Sequence, residues 1–395
     1  MNPFADELNR RLEALRKQGL RRELRRVDSP QSPHIRIGGQ TLLNFASNDY
    51  LGLTNHPALK VAACKAIEDF GTGAGASRLI CGSLAPFHEL EEALAEFKGT
   101  AAALTFSTGY AAALGTITAL MGKDDTIVLD KLVHACIVDA AKLSGAKLRI
   151  FAHNDLNDLE DKLKWATNKA ARHTPNARSQ TLIVTESIFS MDGDDAPLCE
   201  IIALKEKYGA WLMVDEAHAT GLYGRTGSGL ADKLGVSRQV EIQMGTLGKA
   251  LGASGGYICG DRTLIDFLVN RARSFIYSTA PVPAAAMAAK AAIRLVKSGE
   301  GKTLREKVLM HAVELQSAIG HRPSAITSAI TPLILGDEEQ AVAAATSLRE
   351  QNIFIPAIRY PTVARGAARL RITLTAGHSS GDVSALVRAL KQIGN

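Results

Sequence analysis

Cysteine is sparse and unpatterned in this chain: Cys64, Cys81, Cys136, Cys199 and Cys259 are odd in number, widely spaced and never in a C-x-x-C arrangement. That excludes a disulfide framework and a zinc ribbon, leaves no metal site to expect, and fits a reducing compartment such as the cytoplasm. Aromatic residues make up only 5%, and neither a zinc-finger nor an RNP-type pattern accompanies the net charge of +6, so no nucleic acid is expected as partner. No uninterrupted apolar run is long enough to span a bilayer, and no membrane partner is expected. The N-terminus has no apolar leader core, and its basic residues are mixed with Asp6, Glu7, Glu13 and Glu23.

What is present is an ordinary globular composition, 46% hydrophobic and 22% charged over 395 residues, enough for one large and one smaller domain. The reading divides the chain into an N-terminal helix and linker (1–45), a large α/β domain (46–280) and a small α+β domain (281–395). Leucines at 8, 12, 15, 20 and 24 predict an amphipathic helix from Phe4 to about Val27, with arginines on its other face. Residues Asp28 to Gln40, rich in Pro, Gly and Ser, read as a linker. A rival reading of another class lays that basic helix on nucleic acid or a membrane surface.

From Thr100 to about Gly260 β-branched runs alternate with helical periodicity, which predicts a mostly parallel sheet covered on both faces. Helices are expected over Leu156 to Arg172 and Leu198 to Tyr208, with a solvated loop over His173 to Gln180. The glycine run at Gly71, Gly73 and Ala76 follows a helix rather than a strand, so it reads as a loop that lets backbone approach a ligand or a partner chain, and not as a dinucleotide fingerprint. Asn48, Asp49 and Tyr50 sit in an apolar setting, as turn chemistry or as a substrate contact. Ser107 to Tyr110 marks a strand-to-helix turn, either plain or suited to a phosphate at Gly109 and Tyr110.

Ligands in such sheets sit outside the carboxyl ends of the strands. Ser190, Asp215, His218 and Lys249 all fall at that edge. Lys249 follows Gly248 in QMGTLGKALGASGG, among small residues; desolvation there disfavours the ammonium and leaves an amine able to attack a carbonyl. A strand-end aspartate, a histidine three residues on and such a lysine are the set needed to run pyridoxal phosphate, which takes a lysine at its aldehyde and a carboxylate at its pyridine nitrogen.

The segments SNDYLGL, ASRLICGSLAPFHELE, TESIFSMDGD, VDEAHATGLYG, TLGKALGASGG, YSTAPVP and RLRITLTAGH resemble, almost end to end, the α-oxoamine synthases. These are fold-type I pyridoxal phosphate enzymes that condense an amino acid with an acyl-CoA and lose carbon dioxide. The resemblance implies a mostly parallel central sheet covered by helices, a smaller C-terminal α+β domain and a homodimer with shared sites. It implies that Lys249 holds the cofactor, Asp215 pairs with the pyridine nitrogen, and His218 meets the phenolic oxygen with Ser190 nearby. His134, otherwise a helix cap, would stack on the ring where substrate also binds. Backbone at Gly109 and Tyr110 with the Thr246 hydroxyl would hold the phosphate, and Thr279 would reach it from a second subunit. Asn48 and Arg371 would meet the amino-acid carboxylate, while Arg22 and Thr362 would lie along the acyl substrate. The wording VDEAHATG and YSTAPVP points to the member that uses L-alanine with pimeloyl-CoA or pimeloyl-acyl-carrier protein. Glycine C-acetyltransferase, 5-aminolevulinate synthase and serine palmitoyltransferase share the catalytic set.

Overall fold

The computed structural model describes residues 2–172, 179–320 and 326–393; residues 173–178 of the expected solvated loop lie outside them. The first helix, Pro3–Lys17, starts under an Asn2 cap, whose side chain accepts the Phe4 N–H at 3.2 Å. It stops well short of Val27. None of its residues is buried, and Leu8, Leu12 and Leu15 stay exposed among the described residues.

The stretch expected as a linker instead carries a strand, β1 (His34–Ile37), which turns through Gly38 and Gly39 into β2 (Gln40–Asn44). Alternation explains the difference: Ile35, Ile37 and Leu42 bury together in a small core of their own. Helices Pro57–Phe70 and Ala85–Lys98 follow, each with a proline in its first turn.

The central sheet comprises β3 (Ala102–Phe106), β4 (Thr126–Asp130), β5 (Lys147–Phe151), β6 (Thr181–Glu186), β7 (Trp211–Asp215), β8 (Ile242–Thr246) and β9 (Gly256–Gly260). Their order is β3-β9-β8-β7-β6-β4-β5, and β9 alone runs against the rest. Helices Gly109–Leu120, Ala135–Ser144, Leu156–Arg172 and Leu198–Tyr208 make the crossovers. Two cores result, one on each face. Ile183, Leu212 and Val214 point into one, and Leu182, Val184 and Met213 into the other. Burial on both faces is why these strands read as continuous apolar runs.

Helix Pro283–Lys297 packs on helices Pro57–Phe70 and Ala85–Lys98, and Gly299–Ala318 follows it. The C-terminal sheet is antiparallel, with β13 (Ala368–Thr373) between β10 (Ile330–Gly336) and β12 (Ala357–Ile358). The short β11 (Ile353–Phe354) instead pairs in parallel with β2, so the N-terminal hairpin is fastened to the C-terminal part of the chain. Along β13 Leu370 and Ile372 join the core. The alternate residues Arg369 and Arg371 face the other way, buried yet charged. That face meets the loop after β6.

Candidate active site

The carboxyl ends of β6, β7 and β8 bring Glu186, Asp215, His218 and Lys249 to one place. Lys249 lies in a tight turn between β8 and β9, held by Leu247 N–H to Gly255 O and Gly252 N–H to Lys249 O, both 2.9 Å. Its Nζ is 2.7 Å from His218 Nε2. On the far side of the imidazole, Nδ1 is 2.6 Å from the Tyr50 hydroxyl. Arg371 donates to that hydroxyl at 3.4 Å and to Asn48 Oδ1 at 3.0 Å, and also to the Ser190 carbonyl.

This chain of contacts fixes proton positions. Arg371 has only donors, so the Tyr50 oxygen accepts from it and directs its own proton to His218 Nδ1, the nearer of its two acceptors. Burial, the largest cause, and the Arg371 charge hold His218 well below its usual range, so the ring is neutral and Nε2 is its donor. Lys249 then accepts through a lone pair. That requires the neutral amine, the direction in which burial moves it.

Asp215 and Glu186 are register partners on β7 and β6. Burial raises both, and the charge of Asp215 adds to the desolvation of Glu186, which is pushed up to about 8. For Asp215 the Ala217 N–H, 2.9 Å from Oδ1, works against burial. Near neutral pH the pair therefore shares one proton, on Glu186, and Asp215 is the anion.

Helix Gly109–Leu120 opens directly after β3, where Thr108 caps the Ala111 N–H at 3.0 Å and the N–H groups of Gly109 and Tyr110 have no helical partner. A Cβ on Gly256 would stand 2.6 Å from Gly109 N, so β9 can lie flush against the helix start only as glycine. Thr246 borders the same spot, its hydroxyl donating to Gly255 O at 3.0 Å.

Pyridoxal phosphate fits this donor set. It finds a neutral amine for its aldehyde, an anionic carboxylate for its ring nitrogen and a positive helix end for its phosphate. Among the described residues Glu186 Oε1 is buried without a hydrogen bond of ordinary geometry, although the His134 N–H acts on the carboxyl, so a polar atom is left for a bound group.

Over residues 40–390 the chain matches the sequence profile of aminotransferase class I and II. The chain belongs to that family. Among class I and II relatives, the 8-amino-7-oxononanoate synthase of Geobacter sulfurreducens is 45% identical over 97% of this chain and 96% of its own length. That of Anaeromyxobacter sp. strain Fw109-5 is 48% identical over 98% and 96%. A serine palmitoyltransferase variant from S. paucimobilis with PLP bound superposes with a TM-score of 0.90 at 28% identity, covering 100% of this chain and 98% of that one.

Within this class I and II fold, Asn48, Ser190, Asp215, His218, Lys249 and Arg371 come together around one edge, with Gly109 and Thr246 adjacent to each other. His134 caps helix Ala135–Ser144 through Nδ1, 3.2 Å from Cys136 N, and burial lowers its basicity. Arg22 and Thr362 meet at 3.4 Å in a separate groove of ≈ 740 Å³, lined also by Arg21, Arg25, Arg349 and Arg359. Within one chain Thr279 pairs with Ser77 in the glycine loop, and no hydrogen bond joins it to Lys249 among the described residues. Tyr50, readable from sequence as turn chemistry or a substrate contact, and Glu186, an acid at the end of an apolar strand, join the cluster through partners that the sequence does not show.

The Glu186 carboxyl yields a pH prediction. Its pKa stands near 8 in the fold against 4.5 unperturbed, so the fold binds its proton more tightly than the unfolded chain does. Stability from this source is complete below about pH 4.5 and is lost as pH rises through 8. Glu186→Gln keeps an acceptor for the Ser190 N–H, now 3.1 Å from Oε2, and cannot ionise. Melting of the cofactor-free protein should rise by about 2 °C or more over wild type at pH 8.5 and match it at pH 5. Equal melting at both pH values would remove the shared-proton assignment.

Proposed function

We propose that this chain catalyses the decarboxylative condensation of L-alanine with pimeloyl-CoA, or with pimeloyl-acyl-carrier protein, to 8-amino-7-oxononanoate, a step of biotin biosynthesis. The observation that carries this reading is the relay Arg371–Tyr50–His218–Lys249, which sets a neutral amine beside a guanidinium at the carboxyl edge of the sheet. Identities of 45% and 48% to two 8-amino-7-oxononanoate synthases support the choice of substrates.

Bound pyridoxal phosphate supplies an electron sink for negative charge at the amino-acid Cα. Lys249 holds the cofactor at its aldehyde carbon. Lys249 Nζ, as a neutral amine, would take the proton from the amino-acid Cα and return one. His218, neutral and fixed by Tyr50, has one N–H, now aimed at Lys249 Nζ, and that N–H would turn to the phenolic oxygen when the cofactor is held. Asp215 would serve the pyridine nitrogen, with His134 and Ser190 beside the ring. Gly109, Tyr110 and Thr246 would hold the phosphate, with Thr279 of a second subunit completing that site. Arg371 and Asn48 bind the alanine carboxylate through a charge-assisted pair, and Arg22 and Thr362 lie along the acyl chain. The working unit is a cytoplasmic homodimer.

The test is an absorbance spectrum of purified protein followed by titration with L-alanine, glycine and L-serine, each with and without pimeloyl-CoA. Visible cofactor absorbance with coenzyme A release only for L-alanine plus pimeloyl-CoA is the expected result. Turnover on L-serine with a long-chain acyl-CoA would favour a second reading, serine palmitoyltransferase, to which the superposition at TM-score 0.90 lends weight. A protein that stays colourless after added pyridoxal phosphate, or an active monomer on sedimentation, would contradict the proposal.

A further inference from the structure

We infer that His153 is a positioning residue for this reaction, an imidazolium clamp that ties together two loops carrying separate walls of the Lys249 site. The inference rests on the reaction proposed above for its kinetic arm only. His153 stands just past β5 at the edge of the sheet, and no hydrogen bond joins it to Lys249 or His218 among the described residues. Its Nδ1 is 3.0 Å from Asp130 Oδ1 and its Nε2 is 2.7 Å from Asp194 Oδ2. Carboxylates on both nitrogens need a proton on each. Burial opposes that charge, and the two carboxylates outweigh it, raising the ring to about 10. Phe189 packs edge-on at 4.3 Å.

Each carboxylate organises one loop. Asp130 Oδ1 accepts the Leu132 N–H at 2.8 Å, and its carbonyl accepts Val133 N–H at 3.3 Å. These bonds shape the turn that delivers His134. Asp194 belongs to the loop after β6, which closes on itself through Phe189 N–H to Asp194 O and Gly193 N–H to Phe189 O, both 2.9 Å. That loop carries Ser190, whose carbonyl holds Arg371, and Asp192, which pairs with Arg369 at 2.5 Å. Gly193, at φ +74°, lies against the Ile330 carbonyl where a Cβ would stand 2.4 Å away. The loop is therefore pinned to the C-terminal sheet on one side and, through His153, to the β4–β5 edge on the other. Without His153 the buried Asp130 and its neighbour Asp194 would repel, and the His134 and Ser190 walls would part.

The test compares wild type with His153→Ala, Asp194→Asn and the double variant. It measures kcat and KM for L-alanine, and the circular dichroism of the bound cofactor's visible band, which reports how the ring is held. Each single variant should lower kcat about tenfold and alter the visible dichroism while cooperative melting persists. The double variant should lose little more than either single one, because both break one clamp. Wild-type kcat with an unchanged band overturns the inference, as do a fall in kcat without a change in the band and fully additive losses. If His153→Ala does not fold, Asp194→Asn decides by the same criteria. A wild-type protein that condenses nothing refutes the proposed reaction, and the visible dichroism then tests the clamp by itself.

Discussion

Lys249→Ala loses condensation by about 10⁴-fold or more in kcat and loses the visible cofactor band, while the protein still melts cooperatively. The turn that presents Lys249 is built from backbone bonds, Leu247 N–H to Gly255 O and Ala253 N–H to Leu247 O, both 2.9 Å, and none of them uses the side chain. Deleting the side chain therefore removes the amine and leaves its setting. His218 loses the partner of Nε2, at 2.7 Å, and stays neutral because burial is the first cause of its depressed basicity. Lys249→Arg is the informative companion. It places a fixed cation near Asp215 and never offers a neutral amine, since guanidinium does not lose its proton in proteins, so it should be as inactive as alanine. Absorbance, melting and coenzyme A release on the three proteins check this. Arginine activity near wild type would mean that charge rather than a free amine is what position 249 supplies.

The sheet and its crossover helices are legible in the sequence because those features are written locally. Leu156–Arg172 and Leu198–Tyr208 carry helical periodicity along their whole length, and both were placed at the ends they have in the structure. Asp215, His218 and Lys249 end apolar runs, so a parallel sheet must gather them. The first helix ends sooner than its leucine spacing predicts, because that spacing continues past Lys17 while none of the helix is buried among the described residues. The β1–β2 hairpin was read as linker because its buried alternation is only three residues deep, Ile35, Ile37 and Leu42. The pairing of β11 with β2 joins segments some three hundred residues apart in sequence, and no local pattern announces such a partner. Tyr50 reads from sequence as turn chemistry or a substrate contact, and its partners His218 and Arg371 arrive from distant parts of the chain for the same reason.

Asp215→Asn should cost about 10²–10³-fold in kcat with the cofactor still bound, and Glu186→Gln less than about tenfold. Asparagine keeps the shape at position 215 and can still accept the Ala217 N–H now at 2.9 Å, so the loss isolates the charge. That charge has two effects. It is the largest influence favouring the charged form of Lys249 against burial, and it is the anion available to a ring nitrogen. Glutamate 186 cannot substitute, because its carboxyl holds the pair's proton up to about pH 8. Removing the Asp215 charge deletes the like-charge part of that shift, so Glu186 in Asp215→Asn should ionise at lower pH. Its stability would then decline less on going from pH 5 to pH 8.5 than wild type's does. Kinetics and melting thus read one electrostatic arrangement from two sides. If Asp215→Asn kept wild-type kcat while Glu186→Gln lost it, the proton would sit on Asp215, and Glu186 would be the anion that serves the reaction.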